Sequence, residues 1–98
     1  MNGKRQSKVP SHGSPIAVEV IEVRGGECPL EYRPGTQFLV DGPLVPEGMC
    51  TWAWNTMLPS LSVLRFGGTL PWEDFPGVIR TACPDPDRTV VFRLSRQG

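Results

Sequence analysis

Residues 16–24, Ile-Ala-Val-Glu-Val-Ile-Glu-Val-Arg, alternate between two sets of positions. Ile16, Val18, Val20 and Glu22 share one side, and Ala17, Glu19, Ile21 and Val23 the other. Period-two alternation rich in β-branched residues predicts a strand. Gly25-Gly26 ends it, and Cys28-Pro29 follows in a loop. Arg33-Pro34-Gly35 signals a turn, after which residues 36–40, Thr-Gln-Phe-Leu-Val, read as a second strand stopped by Asp41-Gly42-Pro43.

The pattern then changes period. From Cys50 or Thr51 to Phe66, apolar residues recur at helical spacing, and Gly67-Gly68 is a stop signal. Cys50, Ala53, Trp54, Met57, Leu58, Leu61 and Leu64 fall on one predicted core face. Trp52, Pro59, Val63 and Phe66 gather on the opposite side, so that side is apolar too. Pro59 lacks an N–H and is expected to kink or split the helix near residues 55–59. Residues 69–88 read as an irregular cap, within which Val78–Ala82 leans toward a short strand. Cys83-Pro84-Asp85-Pro86-Asp87 cannot be regular structure, and Thr89–Leu94 is a final strand.

These elements predict an α+β fold, a small antiparallel sheet of residues 16–24, 36–40 and 89–94 packed on one Pro-interrupted helix. The 98 residues suffice for one domain, expected over residues 15–98. Residues 1–14 have few apolar groups to bury and are expected to form a disordered tail. Gly and Pro supply 11 residues each, which favours short elements and fixed turns over a long-helix bundle.

The formal net charge is zero, so the electrostatic footprint of a nucleic-acid binder is absent. No apolar run reaches the ~18 residues of a membrane span, and the N-terminus lacks a secretory signal pattern. The expected location is cytoplasmic. His12, the only histidine, lies in the tail, which removes Ser/His/Asp and Cys/His nucleophile pairs from the folded part.

The candidate chemistry is sulfur. Cys28 and Cys83 each precede a proline in a loop, and Cys50 stands where the helix begins. Three is an odd number for a disulfide framework. Cys-Pro loops leave few local donors competing for the sulfur, and a helix start suits an anionic sulfur. If the three converge, they could hold a zinc ion with Glu31 or Asp85 as fourth ligand, or an iron–sulfur cluster with one iron open. The alternatives are structural thiols, or a thiol-dependent enzyme with Cys50 as nucleophile. Arg65 borders the core face, where it needs an ion-pair partner, with Glu73 and Asp74 at hand, or a bound anion. Trp72-Glu73-Asp74 and Asp85-Pro86-Asp87 fit solvated turns. The Trp52, Val63 and Phe66 side could dimerise or dock on a larger enzyme.

Gly-Glu-Cys-Pro, Pro-Gly-Thr-Gln-Phe, Pro-Glu-Gly-Met-Cys-Thr-Trp-Ala, Leu-Arg-Phe-Gly-Gly, Leu-Pro-Trp-Glu and Ala-Cys-Pro-Asp-Pro together resemble a family of small bacterial and archaeal proteins of no assigned reaction. The resemblance runs from about Ala17 to Leu94. It implies that Cys28, Cys50 and Cys83 correspond to the family's cysteine motifs, in a family frequent in anaerobes. Members often carry Gly-His where this chain has Glu31-Tyr32. If that histidine is a ligand elsewhere, Glu31 would have to replace it here.

Overall fold

The computed structural model describes residues 13–97. The tail expected over residues 1–14, with His12, falls mostly outside them. Of its two described members, Ser14 donates its N–H to the Arg65 carbonyl at 2.9 Å.

The described residues form four strands and one helix in the order β1 (Ile16–Arg24), β2 (Gln37–Val40), α1 (Thr51–Arg65), β3 (Val78–Ala82) and β4 (Thr89–Arg96). The strands form one antiparallel sheet in the order β2-β1-β4-β3. The α+β class is as expected, but the sheet has four strands, not three. Val78–Ala82 is the short strand toward which its sequence leans, but it belongs to the sheet and not to an irregular cap: it pairs with β4 from Val78 opposite Ser95 to Ala82 opposite Val91.

α1 covers one face of the sheet. Its Ala53, Met57, Leu61 and Leu64 pack with Ile16, Val18, Val20, Val40, Ile79, Val90, Phe92 and Leu94 to make the core. The other face carries a polar row, in which Arg93 Nη2 meets Glu19 Oε1 at 2.7 Å from the position directly opposite.

Strict alternation in β1 stops at a bulge. Val20 pairs with Phe92, but Glu22 then pairs with Val91 and Val23 with Val90, so Ile21 is the extra residue. The bulge inverts the two faces. Glu22 turns outward to bond Arg24, and Val23 joins the core side, the reverse of the simple alternation.

α1 is unbroken across Pro59. The carbonyl that Pro59 leaves without a helical donor belongs to Asn55, which is exposed, so water can satisfy it. Leu58, expected in the core, is 40% exposed, and Trp54 is half-buried at the margin. The helix ends in a Schellman motif: Gly67 and Gly68 donate to the carbonyls of Leu64 and Val63. Gly67 holds the left-handed conformation at φ 89° that the motif requires.

Candidate functional site

Cys28 lies in the β1–β2 loop, Cys50 is the residue that caps α1 at its start, and Cys83 follows β3. They stand 22 and 33 residues apart. All three line one cleft of about 640 Å³ at the N-terminal end of α1. Eleven residues line it, mostly apolar, among them Leu30, Trp52, Asp85 and Arg88. Each cysteine is half-buried, packed on the core on one side and open to the cleft on the other.

Two contacts bring the loops together. Gly25, just after β1, sits against the loop that follows Cys83. A Cβ there would lie 2.0 Å from the Asp87 carbonyl oxygen, and Gly25 adopts φ 80°, so only glycine allows the approach. The second contact joins the Cys28 loop to the segment before α1. The Cys28 carbonyl accepts the Glu31 N–H at 2.7 Å, and Glu31 takes a left-handed turn at φ 63°. Tyr32 then enters the core. Its hydroxyl donates to the Gly48 carbonyl and accepts the Cys50 N–H at 2.8 Å. Burial pushes the Tyr32 hydroxyl above its ordinary pKa, so it stays protonated at neutral pH.

Each sulfur has a distinct setting. Cys83 Sγ accepts the Val90 N–H at 3.2 Å and faces the Arg88 carbonyl at 3.8 Å. Cys50 makes no side-chain cap, and the first turn of α1 carries no acidic residue, so its sulfur is left to the cleft. Asp85 Oδ1 accepts the N–H groups of Asp87 and Arg88 at 2.9 and 3.1 Å. Those two donors hold its carboxyl below the usual carboxylate range.

Of the two expected fourth ligands, Asp85 lines the cleft with the cysteines. Glu31 does not; it is exposed and lines adjoining grooves with Cys28 alone of the three. Among the described residues, no group of three or more His, Cys, Asp or Glu side chains is placed to hold a metal ion.

Arg65 is not in an ion pair with Glu73 or Asp74. Its Nη2 donates to the Gly42 carbonyl at 3.0 Å in the loop after β2, and Glu73 pairs with Arg80 at 3.1 Å. The expected outer patch is present in part. Trp52 and Phe66 are 72% and 60% exposed, whereas Val63 is half-buried against the core, its Cγ1 at the backbone of Gly68. Trp52 also lines the cleft, so patch and cleft adjoin. Sequence reading missed Tyr32, Gly25 and Arg88. Tyr32 carried one usable signal, a lone tyrosine four residues after a cysteine, while Gly25 looked like an ordinary strand stop.

Compared with known proteins, the chain matches no family model, no curated protein and no solved structure. Among the described residues no helix is long and apolar enough to cross a membrane.

Proposed function

We propose that this protein is a thiolate binding module in which Cys28, Cys50 and Cys83 together hold an iron–sulfur cluster. One observation carries the reading: all three cysteines of the chain, from three separate loops, are among the eleven residues of one cleft. Thiols placed only to fill a core have no reason to share an opening.

We read the site as one for a cluster rather than a lone ion. A tetrahedral zinc with ~2.3 Å bonds needs sulfurs roughly 4 Å apart, and no such ligand group is grouped here among the described residues. A cluster brings its own bridging sulfides and spans more space, so its cysteine ligands stand further apart. The Val90 N–H on Cys83 Sγ is the kind of hydrogen bond that tunes a cluster's potential. Three cysteines leave one iron to an outside ligand or to Asp85, and membership of the small family with these cysteine motifs belongs to the same proposal.

Anaerobic purification, iron and sulfide analysis and an absorbance spectrum test it. Iron and acid-labile sulfide with a visible charge-transfer band are expected, lost on Cys→Ser change at any of the three positions. A metal-free chain with three freely titrating thiols, unable to take up iron and sulfide, overturns it. Bound zinc without sulfide would replace the cluster by a single ion.

A second reading rests on a different observation. Before Arg65, α1 has no charged residue, yet it exposes Trp52, Leu58 and Pro59, with Phe66 just beyond its end. A solvated helix face normally carries charge. On this reading the protein is a non-catalytic subunit that self-associates or docks on a larger protein through that face. Light scattering over a concentration series checks it, a monomer throughout counting against self-association.

A further inference from the structure

We infer that Tyr32 is the positioning residue of the three-cysteine cleft, holding the Cys28 loop and the Cys50 helix start in fixed relation without itself being a ligand. The inference rests on the reading of the cleft as a thiolate site.

The Cys28 loop meets both other cysteine segments. At one end Gly25 presses on the Asp87 backbone, in the loop that follows Cys83. At the other, four residues beyond Cys28, Tyr32 reaches the segment that carries Cys50. Its ring is fixed by packing, with Phe38 at 5.4 Å and Phe92 at 6.2 Å between centroids. The residue as a whole is 8% exposed.

That hydroxyl makes two hydrogen bonds. Its proton goes to the Gly48 carbonyl, and it accepts the Cys50 N–H, so it bridges two backbone groups on either side of Met49. Tyr32 is not among the residues that line the cleft, so its oxygen acts from behind the site and not as a ligand in it. It sets where the Cys50 backbone sits, and therefore where Cys50 Sγ stands relative to Cys28. The Cys50 N–H would otherwise be a half-buried orphan at the cap residue of the helix, where the chain has most freedom to fray.

The experiment compares wild type, Tyr32→Phe and Leu64→Val, the last a core lesion at the far end of α1. Hydrogen exchange reads the bridge in the protein without iron. The Cys50 amide should exchange at least tenfold faster in Tyr32→Phe and be unchanged in Leu64→Val. The same three proteins, reconstituted anaerobically with ferrous iron and sulfide, are then challenged with a chelator. Iron should leave Tyr32→Phe at least tenfold faster than wild type, and leave Leu64→Val at the wild-type rate. An unchanged Cys50 amide overturns the bridge. Equal iron loss from the two variants reduces Tyr32 to ordinary packing, and unchanged iron loss from Tyr32→Phe removes the positioning role. If wild type takes up no iron, the cluster reading fails by itself. The relative alkylation rates of Cys28 and Cys50 then decide on Tyr32: altered in Tyr32→Phe alone they support it, and unaltered they overturn it.

Discussion

Asp85 turns one carboxylate oxygen onto its own loop, where the Asp87 and Arg88 N–H groups hold it ionised below the usual carboxylate range. A carboxyl depressed in the folded state stabilises that state fully above its unfolded pKa, near ~3.9. The contribution is lost as pH falls through the lower folded value. The Cys83–Arg88 loop should therefore loosen under acid, seen as movement of the Asp87 and Arg88 amide resonances below about pH 4. Asp85→Asn should abolish that titration and leave the neutral-pH loop in place, because the side-chain amide oxygen still accepts both bonds. Gly25 makes the opposite kind of demand. Gly25→Ala puts a Cβ into the Asp87 carbonyl and an L-residue at positive φ. A loss of about 2 kcal/mol or more in chemical denaturation is expected, with faster alkylation of Cys83 as the two loops part. Little at this scale could be read in advance. The identity of the cysteines and their turn setting were visible, but the Tyr32 bridge joins residues 16 and 18 positions apart, and spacing along a chain does not encode such a meeting.

At the scale of elements, periodicity found β1, β2, β4 and the helix because each carries several apolar residues at one period. It failed where one residue changed the count. The bulge at Ile21 exchanged the faces of Glu22 and Val23, and alternation has no term for an inserted residue. β3 was harder because Val78–Ala82 has a single fully buried side chain, Ile79. Its outer edge is covered by the preceding loop, with Arg80 and Val78 donating N–H groups to the Glu73 carboxylate and the Phe75 carbonyl. That cover blocks further strand addition on that side. Pro59 was expected to interrupt α1 and does not, since the freed Asn55 carbonyl faces solvent. It still costs a hydrogen bond and helix propensity. Pro59→Ala should raise stability by about 1–3 kcal/mol in urea denaturation, the lower end reflecting the freedom returned to the unfolded chain.

Taken whole, the molecule has a core built from apolar side chains and Tyr32, and a formal net charge of zero. Little long-range repulsion opposes contact between two copies. Under those conditions Trp52 and Phe66 dominate the behaviour of the exposed helix face. On the proposal that this face self-associates, replacing both by serine should lower the association, measured by light scattering at neutral pH and moderate salt, by about tenfold or more, while the melting temperature moves little because neither side chain is in the core. An unchanged association constant would place the contact elsewhere, with the exposed Leu44 and Trp72 next to be tried.

β4 is the last strand in the chain, yet it lies between β1 and β3 in the sheet. Until Thr89–Arg96 has been made, β1 and β3 have no neighbour in common. The hairpin that carries Cys83 cannot close either, since its partner Val90 belongs to β4. During synthesis the first two cysteines therefore emerge long before the third has a place to stand. The order of the chain therefore delays the cleft: a ribosome stalled before residue 89 would display Cys28 and Cys50 without the strand that completes their surroundings.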